Sequence, residues 1–155
     1  MKKTLEDRFN EAAGEWMEHC RKNAHQSIAS FFFSDCDAYK KMVSLGTEVL
    51  PLVRDQLQKE YDLNIEYGRR LDAIKMRIFG TEDVELSGDN YRRISKDKEF
   101  KELNKKGPLT VPWVRAVAEI IGEDFVIPEE IRGRVTETDQ YTIHWLDQHG
   151  YGVNA

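Results

Sequence analysis

Between Leu5 and Cys20 the apolar residues recur every three or four positions: Leu5, Phe9, Ala12 or Ala13, Trp16 and Cys20, with Ala24 in phase beyond them. The residues between them, among them Glu6, Asp7, Arg8, Glu11, Glu15, Glu18, Arg21 and Lys22, are charged. That spacing is one face of a 3.6-residue repeat, which commits the segment to an amphipathic helix. Thr4 followed three residues later by Asp7 supplies a start signal. No stretch of six or more residues alternates apolar and polar, so strands have no pattern to form on. The expectation is an all-α fold, a compact bundle of five to seven helices with paired helical hairpins.

Composition narrows the setting. A chain of 155 residues, 40% apolar and 33% charged, suits one domain with one core. No apolar run approaches the ~18 residues of a membrane span, and Met1 to Arg8 carries two lysines without an apolar core, so no secretory signal is expected. Two cysteines, Cys20 and Cys36, make no disulfide framework. A soluble protein of a reducing cytoplasm is expected.

Residues 27–34, Ser-Ile-Ala-Ser-Phe-Phe-Phe-Ser, lack helical spacing and leave helix, strand and connector open. Asp35 or Asp37 is expected to cap a short helix through Ala38, Tyr39, Met42, Val43 and Leu45, stopped by Gly46. A second helix follows to about residue 60, with Pro51 in its first turn, so 37–60 reads as an αα-hairpin. Leu71, Ile74, Ile78 and Phe79 predict a separate helix ending at Gly80, and Gly88-Asp89-Asn90 reads as a turn. Residues 92–106 hold seven bases against three acids and stop at Gly107-Pro108. Thr110 is expected to cap a helix through Trp113, Val117 and Ile121 that ends at Gly122. A last helix is expected from about Val135 to His149, with Val135, Thr138, Tyr141 or Thr142, Trp145 and Leu146 as its apolar and aromatic positions. The region 61–109 therefore reads as a charged module inserted into a single helical domain spanning 1–155.

Two segments carry a resemblance. Leu45-Gly46 followed by Leu50-Pro51-Leu52 is similar to the helix end and helix start of a HEAT repeat, and Val111-Pro-Trp-Val-Arg115 through Ile121-Gly122 resembles the first helix of the next. With the middle removed they would form one and a half HEAT-like hairpins. Phe9 and Trp16, Ala38-Tyr39, Val43, Leu50 to Leu52, Trp113, Ile121 to Glu123, Pro128, Gly133 and Trp145-Leu146 also resemble a family of small prokaryotic helical proteins with no established activity. Cys36-Asp37 replaces that family's His-Pro, and about forty residues are inserted where its helix pairs are joined by a short loop. The resemblance implies a helical scaffold and no function.

The chemistry-bearing residues form no familiar constellation. His19, Cys20, His25 and Cys36 fit no zinc spacing, and Cys20 belongs to the apolar stripe. No nucleophile elbow or Walker loop is present. No catalytic residue, metal or cofactor is therefore assigned. The candidate contact residues are the aromatic run Phe31, Phe32 and Phe33 and the bases Arg92, Arg93, Lys96, Lys98, Lys101, Lys105 and Lys106. An exposed Phe would anchor a partner, and a basic run would hold an acidic face or phosphates. The overall acidity, 23 bases against 28 acids, favours a protein partner over nucleic acid. The expected function is a non-enzymatic adaptor, with a nucleic-acid-associated regulator, such as an antitoxin, as the alternative. An enzyme would instead require converging carboxyl or histidine groups with shifted pKa values.

Overall fold

A computed structural model of the chain describes residues 3–22, 36–105 and 111–152. Within them lie seven α-helices and no strand: α1 (Leu5–Lys22), α2 (Asp37–Ser44), α3 (Leu50–Phe79), α4 (Gly88–Ile94), α5 (Lys98–Lys105), α6 (Trp113–Ile121) and α7 (Val135–Gln148). Short 3-10 turns sit at Thr47–Val49 and Glu129–Ile131. The expectation of an all-α fold holds. The chain divides into two compact units, Met1–Tyr61 with Leu109–Ala155, and Asp62–Pro108.

In the first unit, α1 begins at a reciprocal cap. The Asp7 amide donates to Thr4 Oγ1 at 3.1 Å, and the Thr4 amide donates to Asp7 Oδ2 at 3.2 Å, so two otherwise orphaned donors are satisfied together. The helix buries Phe9, Ala12, Ala13, Trp16 and Cys20, the face its spacing predicts. It packs against α2, whose Ala38, Tyr39 and Met42 are buried; the alanines on both sides leave room for close approach. Trp16 is the centre of this core. Its ring lies 4.8 Å from Tyr39 and 4.9 Å, edge-on, from Trp113, and Phe9 approaches Trp113 at 6.2 Å. Val49 from the preceding 3-10 turn and Leu50, Val53 and Leu57 from the start of α3 complete the layer. Trp113, Ala116 and Val117 enter from α6, and Ile143 and Leu146 from α7. Arg54 on α3 donates to both carboxylate oxygens of Asp147 on α7, at 2.9 and 3.1 Å.

In the second unit, the later turns of α3 combine with α4 and α5. Ile74, Ile94 and Phe100 are buried, with Leu71, Ile78, Phe79, Leu86 and Leu103 packed around them. So small a core leans on polar fastening. Arg77 donates to both oxygens of Asp97 at 2.9 and 2.8 Å, and Asp97 also accepts the Phe100 amide at 3.0 Å, capping α5.

Several local expectations change. The helices predicted to end near 60 and restart near 71 are one helix of 30 residues. Nothing between 61 and 70 stops a helix: Gly68 is the weakest former there and no proline intervenes. Glu66 there pairs with Arg69 and Arg70, three and four residues on. The turn expected at Gly88-Asp89-Asn90 is the first turn of α4, with Ser87 in the cap position. Cys36, not an aspartate side chain, occupies the cap position of α2; Asp37 is its first residue, where its charge still favours the helix dipole. Pro112 stands in the cap position of α6. Val135, read as an apolar position of the last helix, is 56% exposed, while Asp139 and Ile143 are buried. The expectations for residues 27–34, Asp35 and Thr110 lie outside the described residues.

Candidate functional site

The second unit contains a groove of about 460 Å³ between the later turns of α3 and α5, a size typical of ligand clefts. Leu63, Tyr67, Arg70 and Ile74 line it from α3 at spacings of four, three and four, the helical phase of one face. Glu66 stands beside them, and α5 contributes Glu99, Glu102 and Leu103. The Tyr67 hydroxyl donates to Asn104 Oδ1 at 2.8 Å, which fixes the ring across the two helices. Leu63 is 61% exposed, and Ile65, Met76 and Tyr91 of the same unit are also exposed. For a unit whose buried core among the described residues is three side chains, this is a large share of its apolar residues left open to solvent.

The basic run does not form one patch. Arg93 donates to the Ile78 carbonyl at 2.9 Å and its guanidinium lies 5.1 Å from the Phe79 ring centre, so it fastens α4 to α3. Arg92 pairs with Asp89, and Lys105 lies 3.8 Å from Glu102. Lys96, Lys98 and Lys101 are exposed, with no ion pair among the described residues. Lys98, Lys101 and Lys105 share one stripe of α5, at spacings of three and four, away from Phe100. Phe31, Phe32, Phe33 and Lys106 lie outside the described residues.

A second group of polar residues meets in the first unit. Burial pushes the Glu60 carboxyl up to about 8; the Trp113 indole and the Val111 amide nearby oppose that rise, and the Asp139 charge adds to it. The Trp113 Nε1 is buried and makes no well-formed hydrogen bond, so its proximity to Glu60 is a weak contact. Burial alone raises Asp139 to about 6. Neighbouring residues are tied across the same helices, since Gln140 donates to the Tyr61 hydroxyl at 2.5 Å. Cys20 is fully buried, and burial followed by the nearness of Cys36 drives its thiol up to about 12, which makes it a core residue rather than a nucleophile. His144 is exposed, and His149 stacks on Trp145 at 3.8 Å. Among the described residues no three His, Cys, Asp or Glu side chains gather as a metal site, and no helix is long and apolar enough to cross a membrane.

The groove residues and the Glu60–Asp139 pair were not singled out by sequence. A signal existed for the first. Once residues 61–70 are read as helix, Leu63, Tyr67 and Ile74 recur at spacings of four and seven and share a face of their own. No pattern marks the carboxyl pair, because 79 positions separate its members.

No protein family, curated protein or solved structure matches the chain.

Proposed function

We propose that this protein is a non-enzymatic adaptor that docks another protein on the unit Asp62–Pro108. The observation that carries this reading is the groove between α3 and α5, an apolar floor of Leu63, Tyr67, Ile74 and Leu103 edged by charged side chains. Apolar floors with polar rims are the general anatomy of protein interfaces. Lys96, Lys98 and Lys101 add a second contact for an acidic stretch of the partner, working in the cytoplasm. The scaffold would be the HEAT-like helix pairing that its resemblance implies. The test is affinity purification from the native cell, comparing the intact chain with Leu63→Asp and with Lys96→Glu/Lys98→Glu/Lys101→Glu. A specific partner lost with Leu63→Asp, at an unchanged circular dichroism spectrum, supports the reading. A partner retained by both variants ends it.

The two carboxyls that burial raises, Glu60 and Asp139, favour a second reading, an enzyme of unassigned class in which a protonated Glu60 and an ionised Asp139 serve as acid and base. Turnover of any substrate that Glu60→Gln and Asp139→Asn both abolish would establish it; turnover indifferent to both would remove it. The nucleic-acid alternative draws less support, since Arg92, Arg93 and Lys105 are engaged within their own unit.

A further inference from the structure

We infer that Cys20 and Cys36 are a redox pair, which hydrogen peroxide closes into a disulfide that fastens the end of α1 to the start of α2. The two helices pack against each other, and two contacts fix their register. A cleft is walled by Ala12 of α1 and by Ser44 and Leu45 at the end of α2. One turn further along α1, the Trp16 ring lies 4.8 Å from Tyr39, nearer the start of α2. Positions rise along α1 as they fall along α2, so the helices run antiparallel. Cys20 is one turn beyond Trp16, and Cys36 is three residues, nearly a turn, before Tyr39. The register that seats Trp16 on Tyr39 therefore sets Cys20 opposite Cys36. Cys36 accordingly packs against the buried cluster to which Cys20 belongs. Burial first, and then the nearness of Cys36, raises the Cys20 thiol, which agrees with that placement.

Both thiols are free, and they differ in access: Cys20 is fully buried, Cys36 partly exposed. Cys36 occupies the cap position of α2 without a side-chain cap bond, while its carbonyl accepts the Lys40 amide at 3.1 Å. Its backbone is held and its sulfur is not, so an oxidant meets Cys36 first. The Cys36 sulfur attacks one peroxide oxygen, the O–O bond breaks, and the departing hydroxide leaves as water with the thiol proton. A Cys36 sulfenic acid remains. The Cys20 sulfur then attacks the Cys36 sulfur, the S–O bond breaks, and the Cys20 proton departs with that hydroxide as a second water. Two thiols are oxidised to one disulfide, and one hydrogen peroxide is reduced to two waters. Burial keeps Cys20 from acting on anything in solvent; it answers only the sulfenic acid beside it, which makes closure the slow step. The closed bond spans fifteen intervening residues and restricts the unfolded chain, so oxidation stabilises the first unit.

The experiment treats the intact, folded chain with hydrogen peroxide and follows it by thiol titration and intact mass. Both thiols are expected to disappear together, with a loss of two hydrogen masses and no dimer on a non-reducing gel. A tryptic map should join the two cysteine peptides, which Arg21 and Lys22 otherwise separate. The thermal midpoint should shift upward on closure, and dithiothreitol should reverse every change. Dimedone present during oxidation should label Cys36 and spare Cys20. In Cys36→Ser the Cys20 thiol should survive the same peroxide dose, and Cys20→Ala should stop at the Cys36 sulfenic acid. The wild-type tryptic map decides the matter even where Cys20→Ala loses its fold. Two thiols left intact, oxygen gained at Cys36 with the Cys20 thiol unchanged, or a disulfide-linked dimer each overturns the pairing. A closed bond that lowers the thermal midpoint overturns the fastening.

Discussion

Arg77 and Asp97 meet through two parallel hydrogen bonds of 2.9 and 2.8 Å across twenty positions of sequence, and the same Asp97 carboxylate accepts the amide of Phe100. One side chain therefore closes the unit Asp62–Pro108 and starts its last helix. Those two tasks separate by substitution. Asp97→Asn keeps a cap acceptor and loses the ion pair, whereas Asp97→Ala loses both. The expected order of thermal stability is wild type, then Asp97→Asn, then Asp97→Ala, with Arg77→Ala near Asp97→Asn. Equal melting of Asp97→Asn and Asp97→Ala would show that the cap contributes nothing.

The acid limb of stability follows from the same contact. The Arg77 side chain first, then the Phe100 amide, hold the Asp97 carboxyl below its ordinary 3.8. A carboxyl depressed in the folded state stabilises above the unfolded value and loses that contribution as pH falls through the folded one. Denaturation below pH 3.8 should accordingly be less steep in Asp97→Ala than in the wild type, read by urea midpoints across that range.

Glu60 works in the opposite sense. Its carboxyl sits at about 8 in the folded chain against 4.5 ordinarily, so the folded state binds the extra proton between those values. The stability that Glu60 contributes should therefore be fullest below pH 4.5 and decline as pH rises toward 8. Asp139, at about 6 against 3.8, adds a decline in the same direction over a lower window. Glu60→Gln, which cannot ionise, should flatten most of the slope and raise the melting temperature at pH 8. A pH profile unchanged by that substitution would refute the assignment.

Gly68 offers a gain. It lies inside α3, has no positive φ, and a Cβ built there meets nothing within 4 Å. Gly68→Ala should stabilise by ~0.5–1 kcal/mol, the usual difference between these residues inside a helix. Gly122→Ala should do the reverse, because its φ of 85° is one that side-chain-bearing residues rarely adopt. Thermal melts of the two variants test both signs. Two opposite shifts are expected.

Trp16, fully buried between Tyr39 and Trp113, is the residue whose loss the first unit tolerates least. Trp16→Ala should cost ~3–5 kcal/mol, a large part of the ~5–15 kcal/mol that holds a domain of this kind folded. Denaturant titration measures it directly.

How legible was this in sequence? The helical class and the inward face of α1 were plain, because five apolar side chains in phase leave one way to bury them. Glycine endings were equally plain at Gly46 and Gly122, whose φ values are 82° and 85°. The continuity of α3 was hidden by its own polarity. Asp62, Asn64, Glu66, Arg69 and Arg70 thin its apolar stripe to Leu63 and Tyr67, and a stripe that serves a groove rather than a core looks like an interruption. The basic run misled differently: proximity along the chain says nothing of which guanidinium a carbonyl or ring will claim, as Ile78 and Phe79 claim Arg93. The two raised carboxyls needed the tertiary fold, since Glu60 and Asp139 each sit in an ordinary helical context.

All three tryptophans, Trp16, Trp113 and Trp145, belong to the first unit, whereas the unit Asp62–Pro108 holds only the tyrosines Tyr67 and Tyr91 as fluorophores of note. The chain thus carries its own optical partition. Indole emission follows one unit alone, far-ultraviolet dichroism follows the helices of both, and a difference between the two traces during unfolding times the second unit without a label.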